Sequence, residues 1–221
     1  MIDTGYSITE CVLSPDECDT LTAALNATIH IRSRAGARHL MGNRAVAEPA
    51  HDPRLTRIAA EILGGSAVPY RATLFEKSGV ANWLVPWHQD TALPLAARFD
   101  DAEWGPWSMK ARVHYALAPA WALQRVVALR VHLDASTSDN GPLRVIPGSH
   151  AFGLLSDDDV HELSRREPAV SCLVERGGVL AMRPLLLHAS SKVRIDLPRR
   201  VLHIEYADSL ELSSNAHLAL A

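Results

Sequence analysis

A chain of 221 residues can bury a sizeable core, and it fits one domain of ordinary to large size or at most two small ones. Its 48% hydrophobic and 21% charged residues are typical of a soluble globular protein rather than a disordered or fibrous one. The formal net charge of −3 argues against a nucleic-acid partner held on a broad basic surface.

The cysteines and the N-terminal sequence indicate the cellular compartment in which the protein is expected. Cys11, Cys18 and Cys172 form no CxxC pair, and an odd number of cysteines favours free thiols in a reducing environment. No segment reaches the roughly 18 apolar residues of a membrane span. The N-terminus carries the acidic Asp3 and lacks a basic-then-apolar signal pattern. We therefore expect a cytoplasmic protein without a membrane partner.

Two helices are predicted in the first third of the chain. The first covers residues 14 to 29, with Ser14 as the N-cap and Pro15 at the first helical position. The second covers residues 53 to 63 and ends at Gly64-Gly65. Apolar residues recur at helical spacing in both, at Leu21, Leu25 and Ile29 in the first and at Leu55, Ile58 and Ile62 in the second.

A short basic segment lies between these helices, at residues 31 to 40. It contains Arg32, Arg34 and Arg38 and is interrupted by Gly36. The arginines could bind an acidic group on a substrate, or they could belong to a solvated loop. Arg38 is retained as a candidate substrate-binding residue.

From about residue 68 the pattern changes to short apolar runs separated by Gly, Pro, Asn and Asp, which is typical of an all-β sandwich or barrel. Eight strands, the number in a jelly roll, are predicted at residues 68–76, 83–87, 111–118, 125–133, 142–146, 171–174, 178–183 and 200–207. The polar residues 156–168 are expected to form an exposed loop or a short helix. Helices followed by strands favour one mainly β (α+β) domain over 1–221, with a helical part at 1–67 and a jelly-roll core at 68–207.

Two histidines and a carboxylate form a possible metal site. His88 and Asp90 are two residues apart, so on a strand both side chains point to the same face. His188 follows the apolar run 185–187 and could reach the same metal from a neighbouring strand. Such a set binds Fe(II) in non-haem oxygenases and leaves coordination positions open for a co-substrate and O2. Because the chain has 11 histidines, the pattern by itself is a weak signal.

A possible anion site follows the second histidine. Arg199 lies eleven residues after His188, at the start of the last predicted strand. A guanidinium there can bind the distal carboxylate of a dicarboxylate through two hydrogen bonds. Ser190 shares the face of His188 and could donate to the same carboxylate. Alternatively, Arg199 and Arg200 could simply lie in water at a strand end.

Several segments in this order resemble the phytanoyl-CoA dioxygenase family. The resemblance runs from about residue 68 to residue 207, and the stretch NGPLRVIPGSH at residues 140–150 is quite specific. The other segments that carry it are WHQD at 87–90, WSMK at 107–110, VHLD at 131–134 and HAS at 188–190.

The resemblance implies a double-stranded β-helix, a cupin-like jelly roll, that carries an Fe(II)- and 2-oxoglutarate-dependent dioxygenase. Such an enzyme would use O2 to hydroxylate a small organic molecule, with release of succinate and CO2. His88, Asp90 and His188 match the iron ligands of the family. Because halogenases of the family lack the carboxylate ligand, the presence of Asp90 favours hydroxylation or a related oxidation.

The same resemblance assigns further residues to the co-substrate and leaves others as candidates for the substrate. Arg199 and Ser190 match residues that bind 2-oxoglutarate, and Trp107 matches a tryptophan near it. Arg71, on the strand that leads toward the metal motif, could face the cavity. His132 could line the cavity or satisfy a buried partner. Two other functions remain open: a non-catalytic jelly-roll binding module, and a cupin-like metalloenzyme that does not use 2-oxoglutarate.

Overall fold

The computed structural model describes residues 3–33, 36–78, 82–195 and 197–221. Its helices are α1 (Pro15–Thr28), α2 (Arg44–Ala50), α3 (Pro53–Leu63), α4 (Ala120–Gln124) and α5 (Asp157–Arg166), with a 3-10 turn at Ser149–Phe152. Its strands are β1 (Tyr6–Thr9), β2 (Gly36–Arg38), β3 (Val68–Lys77), β4 (Val85–His88), β5 (Ala92–Leu95), β6 (Trp107–Lys110), β7 (Val113–Leu117), β8 (Val126–His132), β9 (Leu143–Val145), β10 (Val170–Cys172), β11 (Val179–Met182), β12 (His188–Ser190) and β13 (Arg199–Ala207).

The strands form three antiparallel sheets. A six-stranded sheet has the order β1-β11-β8-β13-β3-β2, a four-stranded sheet the order β10-β9-β12-β4, and a three-stranded sheet the order β5-β7-β6. All the pairings within them are antiparallel. This architecture confirms the prediction of a mainly β fold with flanking helices.

Each predicted strand and both predicted helices are present, with ends that differ by at most two residues. The polar segment 156–168 contains the short helix α5. The N-terminal part is not only helical, because β1 and β2 form the two edges of the six-stranded sheet. Neither edge strand shows a long alternating pattern, and each is held by its pairing with a distant partner, β11 or β3.

The start of α1 forms as its sequence predicts. The Ser14 hydroxyl accepts a hydrogen bond from the Glu17 backbone N–H at 3.2 Å, and the Glu17 carboxylate accepts one from the Ser14 N–H at 2.7 Å. This capping box satisfies two backbone donors that the first turn of a helix leaves unpaired. Arg54 of α3 also contacts Glu17 at 2.7 Å, which joins the two helices.

The two faces of the six-stranded sheet differ in chemistry because side chains alternate along each strand. One face is apolar and packs against the helices in a buried cluster that includes Leu25, Leu55, Leu74, Val131 and Leu202. The opposite face carries polar and charged side chains, among them Thr73, Lys77, Arg130, Arg199 and His203. A helix-covered sheet therefore presents its polar face to the four-stranded sheet, and the cavity described below lies there.

No helix within the described residues has the length and apolar character to cross a membrane. The thiols of Cys11, Cys18 and Cys172 are all free.

Candidate metal centre

The three predicted metal ligands meet at one edge of the four-stranded sheet. His188 of β12 lies directly opposite His88 of β4, and the two imidazole centroids are 4.2 Å apart. Asp90 follows the end of β4 and is held by a hydrogen bond from its N–H to the Pro184 carbonyl at 2.9 Å. Its carboxylate oxygens lie 3.8 Å from His88 Nε2 and 3.5 Å from His188 Nε2. One ion with ligand bonds of about 2 Å fits among atoms at these separations.

Both imidazoles are oriented by the same local contact. Nδ1 of His88 lies 2.9 Å from the Pro86 carbonyl, and Nδ1 of His188 lies 2.8 Å from the Leu186 carbonyl. A carbonyl only accepts hydrogen bonds, so each Nδ1 carries the proton. The lone pair is then on Nε2, the nitrogen that faces Asp90, which is the arrangement that metal-binding histidines usually show.

The electrostatic environment keeps Asp90 and His188 in the protonation states that metals require. Burial raises the pKa of Asp90, but His188, His203, His88 and Arg71 together outweigh it and lower that pKa to about 2. Burial lowers the pKa of His188 to about 4, although Asp90 opposes this. At neutral pH the site therefore contains a carboxylate and a neutral imidazole, so a divalent cation does not have to displace protons from them.

Gln89, which sequence reasoning did not single out, ties this region to two loops. Its Nε2 donates to the carbonyls of Gly153 at 2.9 Å and Leu185 at 2.7 Å, and its Oε1 accepts from the Leu155 N–H at 3.0 Å. Gln89 follows the end of β4 and also lies in the cavity lining. Its place between the two predicted ligands was the only signal in the sequence that it supports the site.

A cavity of about 360 Å³ opens above the predicted ligands, between the polar face of the six-stranded sheet and the four-stranded sheet. Among the described residues that line it, Asp90 is the only carboxylate. The cationic residues in the lining are Arg38, Arg71, Lys77, Lys110, Arg130 and Arg199. In a chain with a net charge of −3, this surplus of cations favours anionic ligands.

The predicted anion-binding arginine lies deep in this cavity. Arg199 is 4% exposed, and its Nε donates to the Asn140 carbonyl at 3.3 Å. Its Nη1 is buried without a hydrogen-bond partner among the described residues. Burial and the charge of Arg130 lower the pKa of Arg199 to about 9. A buried guanidinium with a free donor fits a carboxylate that arrives with a ligand, because an unpaired buried charge is costly.

Lys77 stands beside this arginine and was missed by sequence reasoning. It is the cross-strand partner of Arg199, and its Nζ donates to Ser190 Oγ and to the Ser191 carbonyl, both at 2.6 Å. Ser190 Oγ in turn donates to the Gly141 carbonyl at 2.9 Å. Burial, reinforced by Arg199, lowers the pKa of Lys77 to about 7. Lys77, Ser190 and Arg199 are called the inner anion cluster below.

The structure does not place Trp107 in the cavity. Trp107 lies on β6 and packs edge-on against Phe99 at 5.3 Å between ring centroids. The tryptophan that lines the cavity is Trp83, whose ring centroid is 5.3 Å from Lys77 Nζ. The prediction for Trp107 is corrected accordingly: its side chain packs against the buried cluster around Leu93 and Trp104, and Lys110 is the residue of β6 that lines the cavity.

His132 also lies outside the cavity lining. It is 1% exposed, and its Nδ1 is hydrogen-bonded to the Arg130 carbonyl at 3.0 Å. Burial and the nearby charges of Arg130 and Arg199 lower its pKa to about 3, so the ring is neutral. Of the two roles that the sequence left open, the structure favours the buried histidine with a satisfied partner over contact with a substrate.

Arg71 lines the cavity as predicted, but it belongs to a buried polar network on the cavity floor. Its guanidinium lies 3.3 Å from the Glu205 carboxylate, which also accepts from Tyr70 Oη at 2.7 Å. His203 Nε2 lies 3.1 Å from Glu205, and its Nδ1 lies 3.2 Å from Arg130 Nη1. Arg71 therefore already has a carboxylate partner before any ligand binds.

The basic segment between the first two helices is divided by the structure. Arg32 points away from the cavity and pairs with Glu76, with a further hydrogen bond to Asn26 at 2.8 Å. Arg38 is exposed at the cavity rim. Arg34 lies outside the described residues. Arg38 alone of these three is thus a described part of the cavity.

The profile of the phytanoyl-CoA dioxygenase family matches residues 2–201. The chain belongs to this family. It is also 30% identical over 105 residues to the L-proline trans-4-hydroxylase of Streptomyces griseoviridis. That alignment covers 48% of the chain and 31% of the relative, so the chain matches about a third of the length of this hydroxylase.

Solved structures of the same fold cover nearly the whole chain. The crystal structure of AviO1 from Streptomyces viridochromogenes Tue57 has a TM-score of 0.68 at 24% identity, over 98% of this chain and 93% of AviO1. EctD from S. alaskensis, crystallised with 2-oxoglutarate and 5-hydroxyectoine, has a TM-score of 0.70 at 23% identity, over 93% of this chain and 72% of EctD. At these identities the likeness shows the fold.

The predicted family and fold class are thereby confirmed. EctD from S. alaskensis has been crystallised with bound Fe and with 2-oxoglutarate. The donor set described above suits Fe(II), and the unpartnered guanidinium suits the co-substrate.

Proposed function

We propose that this chain hydroxylates a small organic molecule, with Fe(II) bound by His88, Asp90 and His188 and with release of succinate and CO2. The observation that carries the proposal is the convergence of one ligand atom from each residue within 4.8 Å of the others, with both Nε2 atoms freed by hydrogen bonds at Nδ1. Bound iron and 2-oxoglutarate would supply O2 activation and oxidation of a C–H bond.

The inner anion cluster is proposed to hold the distal carboxylate of 2-oxoglutarate. Arg199 offers its free Nη1, Lys77 offers a buried ammonium, and Ser190 offers a hydroxyl. No salt bridge to either cation is present among the described residues, so their charges are compensated only when an anion binds. Placed there, the co-substrate would be fixed in orientation relative to the metal ligand on β12, His188, which lies two residues from Ser190.

The substrate is proposed to be small. The cavity of about 360 Å³ lies near the lower end of the usual range for ligand pockets, and it has to hold the co-substrate as well. The relative from Streptomyces griseoviridis acts on L-proline, a molecule of that size, which supports the proposal. A cytoplasmic location is proposed from the free thiols of Cys11, Cys18 and Cys172, which suit a reducing compartment.

The metal assignment is tested by adding Fe(II) and 2-oxoglutarate to the protein without O2. We expect the weak visible charge-transfer band of the chelate with the wild type, and its loss in His88→Ala, Asp90→Ala and His188→Ala. His161→Ala, an exposed histidine on α5, is the matched control and should keep the band. The absence of both the band and 2-oxoglutarate binding in the wild type would contradict the proposal.

The co-substrate assignment is tested with Arg199→Ala. This variant should still bind Fe(II) but should lose most of its affinity for 2-oxoglutarate and its succinate production. Metal-dependent activity that survives in Arg199→Ala would indicate the cupin-like enzyme without 2-oxoglutarate. If the wild type releases no succinate with any substrate in a metabolite screen, the non-catalytic binding module is indicated instead.

A further inference from the structure

A second set of cations lies at the rim of the same cavity. Arg38 ends β2 and Lys110 ends β6, and both line the cavity. Tyr115 of β7 lies beside Lys110, with its ring centroid 5.1 Å from Lys110 Nζ and 5.6 Å from Arg71 Cζ. Strands β3 and β6, which belong to two different sheets, thus bring positive charge to one aromatic ring.

Among the described residues, Arg38 and Lys110 have no acidic partner, in contrast to the two neighbouring arginines Arg71 and Arg32. Arg71 is paired with Glu205, and Arg32, on the same segment as Arg38, is paired with Glu76. Within the described ranges, neither Arg38 nor Lys110 forms a salt bridge. The cavity therefore presents two rim cations whose charges no protein carboxylate compensates.

A solvated surface is the simplest alternative, because most exposed cations have no ligand. The hydrogen bonding and backbone conformation of His39 argue against a merely solvated surface. His39 hydrogen-bonds to Tyr115 Oη at 2.7 Å, and it does so from a backbone φ of 57°, a conformation that non-glycine residues seldom adopt. Burial and the charges of Arg71, Arg38 and Lys110 lower the pKa of His39, so the ring is held neutral next to them. Strained backbone of this kind is concentrated at binding sites.

The rim cations are well separated from the inner anion cluster. Arg38 is the cross-strand partner of Thr73, which lies four residues before Lys77 on the same face of β3. At about 3.4 Å per residue, the two places are roughly 14 Å apart along the strand. A 2-oxoglutarate carboxylate held at Lys77 and Arg199 cannot also occupy the rim, so the rim is free for a second anion.

We propose that the substrate carries an acidic group, a carboxylate or a phosphate, that binds to Arg38 and Lys110 over Tyr115. This inference rests on the proposed function and names the class of substrate for that site. The acidic group would anchor the substrate at the rim, and the carbon to be oxidised would be the part that reaches inward toward the metal ligands. Arg38 and Lys110 would be specificity-determining residues, since neither lies next to the metal.

The test uses three probes with one skeleton: cyclohexanecarboxylate, cyclohexyl phosphate and the neutral cyclohexanecarboxamide. Each is titrated by calorimetry, without O2, into protein loaded with Fe(II) and saturating 2-oxoglutarate, after the charge-transfer band has verified the complex. We expect at least one acid to bind about tenfold or more tightly than the amide, because a charge-assisted hydrogen bond is worth that much. The stronger of the two acids identifies the group as a carboxylate or a phosphate.

Variants decide where the acid binds. Arg38→Ala and Lys110→Ala should each weaken the acid about tenfold and leave the amide and the 2-oxoglutarate affinity unchanged. Arg57→Ala removes the same charge from the exposed face of α3 and should change nothing. Equal affinities for acids and amide, or acid affinities in Arg38→Ala and Lys110→Ala that match those in Arg57→Ala, would overturn the inference. Because the band is measured first, a failure of the metal or co-substrate assignment is recognised separately.

Discussion

Replacing Lys77 by methionine should remove a large part of the pH dependence of folding stability. Lys77 is 2% exposed, and burial together with Arg199 and Arg130 lowers its pKa from 10.5 to about 7. Between pH 7 and pH 10.5 the unfolded chain therefore keeps a proton on this amine that the folded protein has released. Stability rises with pH wherever the unfolded state binds more protons, so this lysine should make the metal-free protein more stable as the pH increases above 7.

The size of this effect follows from the linkage relation. One proton of difference changes the free energy of unfolding by about 1.4 kcal/mol per pH unit. From pH 7 to pH 8.5 the contribution of Lys77 is then about 2 kcal/mol. For a chain of this length, that corresponds to a rise of roughly 4–8 °C in Tm. Lys77→Met replaces the amine by an unbranched side chain that is one atom shorter and cannot titrate. Between pH 7 and pH 8.5 the Tm of this variant should therefore rise about 4–8 °C less than that of the wild type.

The assay is thermal unfolding of wild type and Lys77→Met without metal at pH 7 to 8.5, together with 2-oxoglutarate titrations of the Fe(II)-loaded proteins. Other groups titrate in both proteins, so the difference between the two curves isolates Lys77. Binding of a carboxylate requires the ammonium form, so the Kd of the wild type for 2-oxoglutarate should increase up to about tenfold per pH unit above 7. Parallel Tm curves and the same pH dependence of the two Kd values would refute the role given to Lys77.

Three other substitutions test the framework of the site. Gln89→Leu removes three hydrogen bonds to buried or half-buried backbone, so it should lower the free energy of unfolding by about 2–4 kcal/mol. It should also weaken Fe(II) binding in a metal titration. Unchanged iron affinity would contradict the positioning role of Gln89. Gly141→Ala introduces a Cβ 2.6 Å from the Ser191 carbonyl at a φ of +69°, so it should lower the free energy of unfolding by about 1–3 kcal/mol and weaken 2-oxoglutarate binding. Gly42→Ala is the control, because a Cβ at residue 42 meets nothing within 4 Å. Leu25→Ala should lower the free energy of unfolding by about 2–5 kcal/mol without changing the affinity for 2-oxoglutarate of the protein that remains folded.

The features that the sequence predicted correctly are those encoded over a few neighbouring residues. The apolar run of β3 and the N-cap and proline of α1 indicate their elements without reference to the rest of the chain. The pairing of His88 with Asp90 is equally local, because two residues on a strand share a face whatever the sheet order. His188 was proposed from its place after the apolar run 185–187, but its position opposite His88 is a property of strand pairing.

The features that were missed depend on which strands become neighbours. Lys77 looks like the polar end of an apolar strand, and only its pairing with Arg199 and its contact with Ser190 give it a place in the anion cluster. Trp107 and Trp83 flank the metal motif in the sequence. Their places are decided by the packing of Trp107 against Phe99 and by the approach of residue 83 to Lys77.

The register of β3 determines which of its side chains pack against the helices and which face the cavity. On β3, Leu74 faces the helix-covered side, while Thr73 and Lys77 face the cavity. A slip of one residue between β3 and its neighbours would turn Leu74 toward the cavity and Lys77 toward the helices, because side chains alternate with a period of two. Burial of apolar side chains against α1 and α3 opposes this slip, at about 1.5–3 kcal/mol for each large residue.

The same packing therefore determines where the cations lie. With β3 held in register, Lys77 stands opposite Arg199 and Thr73 stands opposite both Arg38 and His203. The inner anion cluster and the rim cations are consequently two positions on one polar sheet face, separated by a spacing that the strand geometry sets. Substitutions in the helical layer should then affect catalysis only through the fraction of protein that is folded. Substitutions at Lys77, Arg199, Arg38 or Lys110 should change ligand affinity in a folded protein, each for its own anion.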